Sequence, residues 1–154
     1  MMTERGAIVL VETGVARHGL AYSKSDGAST IVFGIYAKNN GAKLYSVDIN
    51  PDNIATCQKT IDKMNLSSYV ELNTADSIEY LKAFTQKVDF LYIDSYDYNR
   101  NNSEIIKASE AHHLEEIKAV EKKLHENSII LIDDCKLPDR GKGKSAIKYL
   151  KSKG

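Results

Sequence analysis

The sequence has few of the residues that hold small secreted or zinc-bound domains together. Its 154 residues include only two cysteines, Cys57 and Cys135. They form no Cys-x-x-Cys pair, and no histidine lies at zinc-finger spacing, which excludes a disulfide scaffold and a structural zinc site. Residues 1–6 carry no apolar signal core. We therefore expect two reduced thiols in a cytoplasmic protein.

Long apolar runs and an excess of one charge are also missing. The longest apolar run, Ala7–Val11, is far shorter than the ~20 residues that a membrane-spanning helix needs. Lysine plus arginine and aspartate plus glutamate both total 21, so the formal net charge is zero. These features argue against a membrane protein and against a dedicated nucleic-acid binder. The length predicts a single domain spanning residues 1–154.

The common phosphate-binding motifs are absent from the first predicted strand and loop. Gly14 is followed by Val15–Arg17, which does not match the G-x-G-x-x-G pattern. Gly14 and Gly19 have P-loop spacing, but Leu20-Ala21 stands where that motif requires lysine and a hydroxyl residue. The acidic Glu12 before this turn would repel a pyrophosphate and attract an ammonium or sulfonium group.

Apolar runs alternate with segments of helical period along the chain. Strands are predicted at Ala7–Val11, Lys43–Val47, Tyr69–Leu72, Val88–Ile93 and Ser128–Ile132. Helices are predicted at Ala28–Lys38, Asn50–Met64, Ser77–Phe84, Glu110–Leu124 and Lys144–Ser152. Residues 95–108 are predicted as loop, with Ser109 capping the helix that follows. This alternation indicates an α/β fold with a parallel sheet, for which we expect the order 3-2-1-4-5 and helices on both faces.

Acidic residues recur where the predicted strands end. They are Glu12, Asp48, Asp76, Asp94, Asp133 and Asp134. Ligands of such sheets bind outside the carboxyl ends of the strands, so these side chains are expected at one pocket. Strands four and five are neighbours in this order, which brings the last three carboxylates together. Three anions repel one another unless a cation is present, and hard oxygen ligands suit Mg²⁺.

Five short motifs resemble, in the right order, those of class I S-adenosylmethionine-dependent methyltransferases. They are Val11–Gly14, Val47-Asp48, Ala75-Asp76, Tyr92–Asp94 and Leu131–Asp134. The chain is most similar to small metal-dependent O-methyltransferases of the catechol and antibiotic-sugar types. The resemblance covers nearly the whole chain. It implies a Rossmann-like fold. The family usually adds a sixth and a seventh strand, and this sequence departs from the family because it is expected to form neither.

The resemblance also implies a role for each motif residue. Glu12 and Gly14 would hold the methionine part of S-adenosylmethionine, and Asp48 would accept both ribose hydroxyls. Asp76 would accept from the adenine amino group, while Ala75 supplies backbone. Asp94, Asp133 and Asp134 would bind Mg²⁺ or another divalent cation. Capping of the helices that follow is an alternative role for Asp48 and Asp76.

The implied reaction is methyl transfer to a small hydroxylated substrate, which needs a base for the hydroxyl proton. The catechol-type enzymes carry lysine three residues after the metal aspartate, where this chain has Asp97. The sugar-type enzymes carry aspartate two residues after it, where this chain has Tyr96. His112 lies in a stretch that resembles a helix entry of the sugar type. The catalytic candidates are therefore Asp94, Asp97 and His112, and the base stays open among them.

Two other functions remain open, and two further structural features are expected. A non-catalytic module that keeps the cofactor pocket is the main alternative, and a nucleotide or phosphate binder is a weaker one. Residues 21–25 lengthen the first loop and are expected to fold over the cofactor. The apolar strand Ser128–Ile132 is expected at an open sheet edge, which favours a homodimer.

Overall fold

Five parallel strands form one sheet in the computed structural model, which describes residues 1–21, 27–136 and 138–153. The strands are β1 (Val9–Thr13), β2 (Lys43–Asp48), β3 (Val70–Thr74), β4 (Phe90–Ile93) and β5 (Ile129–Ile132). Their order is β3-β2-β1-β4-β5, and every pair is parallel. This confirms the predicted sheet and its order.

Within the described residues, five α-helices connect and cover the strands. They are α1 (Ser29–Asn40), α2 (Pro51–Lys63), α3 (Ser77–Ala83), α4 (Ser103–Val120) and α5 (Lys144–Ser152). Short 3₁₀ segments lie at Glu121–Lys123 and Pro138–Gly143. Most of the segment 21–25, predicted to fold over a cofactor, lies outside the described residues.

The apolar residues of the strands pack against helices on both faces of the sheet. On one face, Leu10, Leu44 and Phe90 lie in a core with residues of α1 and α2. On the other face, Val11 and Leu91 pack with residues of α3, α4 and α5. Burial on both faces explains why the strands read as continuous apolar runs rather than as alternating ones.

The helix α4 begins earlier than its sequence pattern predicts. The side chain of Asn102 accepts the backbone N–H groups of Glu104 and Ile105, at 3.0 and 3.2 Å, and so caps a helix that starts at Ser103. Ser109, predicted as the cap, is buried inside the helix. The predicted loop is therefore wrong for residues 103–108, because the last asparagine of an Asn-rich stretch acts as a helix cap.

The strand β5 lies at an edge of the sheet. Its one hydrogen-bonded neighbour among the described residues is β4. Leu131 is 44% exposed. Among the described helices, none combines the length and the apolar character needed to cross a membrane.

Self-association through the β5 edge stays a prediction, and sedimentation velocity at micromolar concentration tests it. A dimer is expected for the natural chain, because an unpaired apolar edge favours strand pairing. Leu131→Lys should shift the species toward monomer by placing a charge beside that edge. Val32→Lys is the matched control, since Val32 is 58% exposed on α1. A natural chain that sediments as a monomer would contradict the prediction.

Candidate functional site

Three cavities lie along the carboxyl ends of the strands. The first has a volume of about 260 Å³ and is lined by Gly14, Asp48, Asp76, Ser77, Tyr96 and His112, among others. The second, of about 180 Å³, is called here the bridging cavity; its lining includes Gly14, Arg17, Asp48, Asn53, Asp94 and Asp97. The third, the large cavity, measures about 690 Å³; its lining includes Arg17, Tyr92, Asp94, Asp133, Asp134 and Lys142.

The three cavities adjoin one another through shared walls. Gly14 and Asp48 line both the first and the bridging cavity. Arg17, Asp94 and Asp97 line both the bridging and the large cavity. A ligand that fills the first two cavities would therefore face a second molecule in the large cavity across Asp94.

Gly14 forms the turn between β1 and the cavities. Its backbone N–H donates to the carbonyl of Val47 at 2.8 Å, and its φ of +81° lies in the left-handed region. A Cβ at this position would lie 2.5 Å from the carbonyl oxygen of Asp94. The turn thus requires glycine on two independent grounds, and it holds the ends of β1 and β4 together.

Asp48 is fixed at the wall between the first and the bridging cavity. Its carboxylate accepts the backbone N–H groups of Val15 and Asn50, at 3.3 and 2.8 Å, and the side-chain amide of Asn53. Asn50 in turn caps α2 by accepting the N–H of Asp52. The three groups that donate to Asp48 use at least three of the roughly four acceptor sites of a carboxylate, so at most one site of Asp48 remains for a ligand hydroxyl.

Asp76 both caps a helix and faces a cavity. Its carboxylate accepts the backbone N–H of Glu79 at 3.0 Å, at the start of α3. It also lines the first cavity, so the two roles considered for it are compatible. The N–H of its neighbour Ala75 donates to the carbonyl of Asp48 at 3.1 Å. Ala75 is absent from the described linings of the three cavities.

Glu12 is buried in β1, behind the cavity walls. Its Oε2 accepts from the Ser46 hydroxyl at 2.7 Å, and its Oε1 has no partner among the described residues. Burial raises the pKa of this carboxyl group to about 7. Glu12 therefore lies two residues before Gly14 without lining the described cavities, and the predicted contact with a ligand amino group stays a prediction.

His112 belongs to a network beside the first cavity. Its Nε2 lies 3.1 Å from the Ser77 hydroxyl and 3.6 Å from Oε1 of the buried Glu116. Glu116 also accepts from the Ser95 hydroxyl at 2.6 Å. His112 lines the first cavity and not the large one, so the structure places it apart from Asp94. Glu116 escaped the sequence reasoning, although a spacing of four residues on one helix puts the two side chains on one face.

A lysine provides the positive charge in the acidic cluster after β4 and β5. The ammonium of Lys142 contacts Oδ1 of Asp94 and lies 3.2 Å from Oδ2 of Asp134. Burial and the nearby carboxylates of Asp94 and Asp133 raise the pKa of the Tyr92 hydroxyl. Within the described part of the chain, no three histidine, cysteine or acidic side chains are grouped so that they could hold a metal ion. The positive charge that the structure shows between Asp94 and Asp134 is the ammonium of Lys142, and the divalent cation expected from the sequence stays a prediction.

Burial and mutual attraction together determine the charges of Asp94 and Lys142. Burial raises the pKa of Asp94 to about 6, against the lowering effect of Lys142. Burial acts to lower the pKa of Lys142, but the carboxylates of Asp94 and Asp134 outweigh it and keep that pKa above the ordinary value. Lys142 therefore carries its positive charge throughout the physiological range. It escaped the sequence reasoning because a lysine in a polar, Gly-rich segment has no periodic signal.

Asp97 is paired with an arginine at the rim of the bridging and large cavities. Its two carboxylate oxygens accept from the guanidinium of Arg17 at 3.3 and 3.1 Å. This pairing lowers the pKa of Asp97, so the carboxylate is held in its ionised form. Of the three catalytic candidates, Asp94 and Asp97 both line the large cavity, whereas His112 does not.

The family comparison identifies the class of the chain. A family model described as "Methyltransferase domain" matches residues 24–135, well over half of the sequence. The chain therefore belongs to this methyltransferase family. No curated protein matches the sequence significantly.

Solved structures share the fold at low sequence identity. The SAH-bound methyltransferase PaMTH1 of Podospora anserina superposes with a TM-score of 0.66 at 17% identity, over 87% of this chain and 49% of its own. A proposed Streptococcus mutans methyltransferase in complex with SAH gives 0.63 at 15% identity, over 96% and 76%. A proposed O-methyltransferase of Klebsiella pneumoniae gives 0.61 at 14% identity, over 85% and 50%. The fold is thus the Rossmann-like methyltransferase fold, and the chain spans about half the length of the first and third of these proteins.

Gly14→Ala is expected to lower the free energy of unfolding by more than its matched control, Gly41→Ala. Both glycines have positive φ, which costs an L-residue ~1–2 kcal/mol. A Cβ on Gly41 meets nothing within 4 Å, whereas one on Gly14 meets the Asp94 carbonyl. Overpacking adds about 1–3 kcal/mol to the cost at Gly14. Urea unfolding measures the difference, and equal losses in the two variants would contradict the close approach.

The pKa of the His112 imidazole is expected to lie above its ordinary value, and the pKa of the neighbouring His113 imidazole below it. The Glu116 carboxylate raises the pKa of His112 against the effect of burial, whereas burial lowers that of His113. Stability from protonated His112 is then complete below pH ~6.5 and is lost as the pH rises through the raised pKa. NMR titration of the two imidazoles tests this, with His112→Gln assigning the signals. A His112 pKa at or below that of His113 would contradict it.

Proposed function

We propose that this chain binds S-adenosylmethionine and transfers its methyl group to a hydroxyl of a small, polar substrate. The observation that carries the proposal is the row of three adjoining cavities, of which the bridging and the large cavity share Asp94. The first two offer a place for a nucleoside and its attached chain. The large cavity offers a place for the acceptor next to it.

The residues present fit S-adenosylmethionine. The turn at Gly14 has no Cβ, so backbone lies directly against the end of β4 and leaves the bridging cavity open. Asp48 and Asp76 present carboxylates to the first cavity, where acceptors suit ribose hydroxyls and an adenine amino group. The anionic side chains of Asp48, Asp94 and Asp97 around the bridging cavity suit a sulfonium and an ammonium.

The large cavity suits a small hydroxylated acceptor. Its lining is mostly polar and includes Tyr92, Asp133, Asn99, Asn101 and Arg100. Such side chains offer both donors and acceptors to a hydroxyl-rich molecule, with catechols and vicinal diols as the simplest examples. The Klebsiella pneumoniae neighbour, itself a proposed O-methyltransferase, supports oxygen as the accepting atom.

In the proposed step, the acceptor oxygen forms a bond to the methyl carbon and its proton passes to Asp94. S-adenosylmethionine would supply the methyl group from its sulfonium sulfur, which would become a neutral thioether. Asp94 is suited to take the proton because it lines both the bridging and the large cavity. The cavity walls fix the two reactants side by side, which replaces an encounter in solution. Arg17 holds Asp97 in place at the junction.

The divalent metal that the sequence predicts has no part in this proposed step. Asp94 and Asp134 already share the ammonium of Lys142. The donor set seen here does not fit a divalent cation, because a metal bound to these carboxylates would need the position that the ammonium takes.

Calorimetry with S-adenosylhomocysteine and a transfer assay with a radiolabelled methyl group test the proposal. The chain is expected to bind the nucleoside and to label a member of a panel of catechols and vicinal diols. Asp48→Ala should weaken binding at least about tenfold by removing an acceptor from the ligand. Asp52→Ala is the control, since Asp52 lies exposed in the first turn of α2, four residues after Asp48. Asp94→Asn should still bind the nucleoside and should lose the transfer.

Three outcomes would count against parts of the proposal. Absence of nucleoside binding would remove the proposal as a whole. Binding that weakens equally in the Asp48→Ala and Asp52→Ala variants would remove the assigned cofactor site. Binding without transfer to any member of the panel would favour the non-catalytic module instead.

A further inference from the structure

Lys142 carries a buried positive charge, and no role in the site is predicted for this residue from the sequence. Its side chain is 3% exposed, which is unusual for lysine unless the charge is paired. The partners are Asp94 of the β4 end and Asp134 of the β5 end. The ammonium therefore lies between the ends of the two neighbouring strands, at the wall of the large cavity.

The backbone that carries Lys142 is held in place. The residue lies in the 3₁₀ segment Pro138–Gly143, directly before α5. Gly141 and Gly143 on either side of it are buried. A Cβ on Gly143 would collide with Sγ of Cys135, so the segment lies directly against the turn that follows β5. The lysine is thus anchored at its backbone as well as at its charged end.

An ammonium and a divalent cation cannot both occupy this place. A Mg²⁺ ion binds carboxylate oxygens at about 2.0–2.1 Å and keeps several waters, so it needs the volume that the ammonium fills. An ammonium and a divalent cation bound to the same carboxylates would also repel each other strongly in a partly buried site.

We propose that Lys142 is the built-in cation of the acceptor site and takes the place of a divalent metal. The methyl transfer of this chain, which rests on the proposed function, then needs no metal ion. An ammonium has three N–H donors, of which two serve Asp94 and Asp134. The third is available to an acceptor oxygen, and Lys142 thereby positions both Asp94 and the acceptor.

The test measures Mn²⁺ binding by electron paramagnetic resonance, in which the free ion gives a signal that binding removes. The natural chain should leave the signal unchanged at equimolar Mn²⁺. Lys142→Ala removes the ammonium and leaves the carboxylates, so this variant should bind one Mn²⁺ per chain and gain thermal stability from it. Lys142→Arg keeps a cation and should not bind the ion. Lys148→Ala, at an exposed lysine of α5, is the matched control and should behave as the natural chain.

A double variant locates the ion. Lys142→Ala combined with Asp94→Asn should lose the Mn²⁺ binding that Lys142→Ala gains. If Lys142→Ala does not fold, Lys142→Met fills the same volume without the charge and replaces it. Thermal unfolding with and without Mn²⁺ gives a second readout on each variant.

Two results would overturn the proposal. The first is stoichiometric Mn²⁺ binding by the natural chain that disappears in Asp94→Asn. The second is a folded Lys142→Ala or Lys142→Met variant that binds no Mn²⁺. Neither depends on methyl transfer, so failure of the proposed function would show in the nucleoside and transfer assays alone. A labelled product that forms equally well in a chelator and in Mg²⁺ would support both proposals together.

Discussion

The turn after β1 can lie against the end of β4 only because Gly14 has no side chain. Its close approach to the Asp94 carbonyl brings the two strand ends to the same point, and the cavities on either side of that point become neighbours. Asp48 reaches the same turn from β2 through the N–H of Val15. The ends of three strands are thus joined by backbone contacts, and the charged side chains of the site take their places from them.

The buried charges of the site occur in matched sets. Glu116 has His112 and the Ser95 hydroxyl as partners, and Lys142 has Asp94 and Asp134. Removing one member of such a set leaves an uncompensated charge, which costs more than the pair itself contributes. These contacts therefore fix the geometry of the cavity walls more than they add to stability.

The sequence predicts the fold well and the acidic side of the site in part. Apolar runs and helical periods are local signals, and their alternation predicts that the strands are parallel. Asp48, Asp76 and Asp94 line cavities because they follow parallel strands, as expected. Lys142 could not be predicted, since Asp94 and Asp134 follow β4 and β5 and only the folded chain brings the lysine to them. The start of α4 was missed because Asn102 is both a loop former and a good helix cap.

The shared wall at Asp94 has a consequence for the order of events. If a nucleoside fills the first two cavities, its reactive end becomes part of the surface that the acceptor meets in the large cavity. The acceptor site is then incomplete until the nucleoside is bound. Affinity for one molecule therefore depends on the presence of the other, by the same factor in both directions. Two ligands bound as proposed would be coupled through the wall that their cavities share at Asp94.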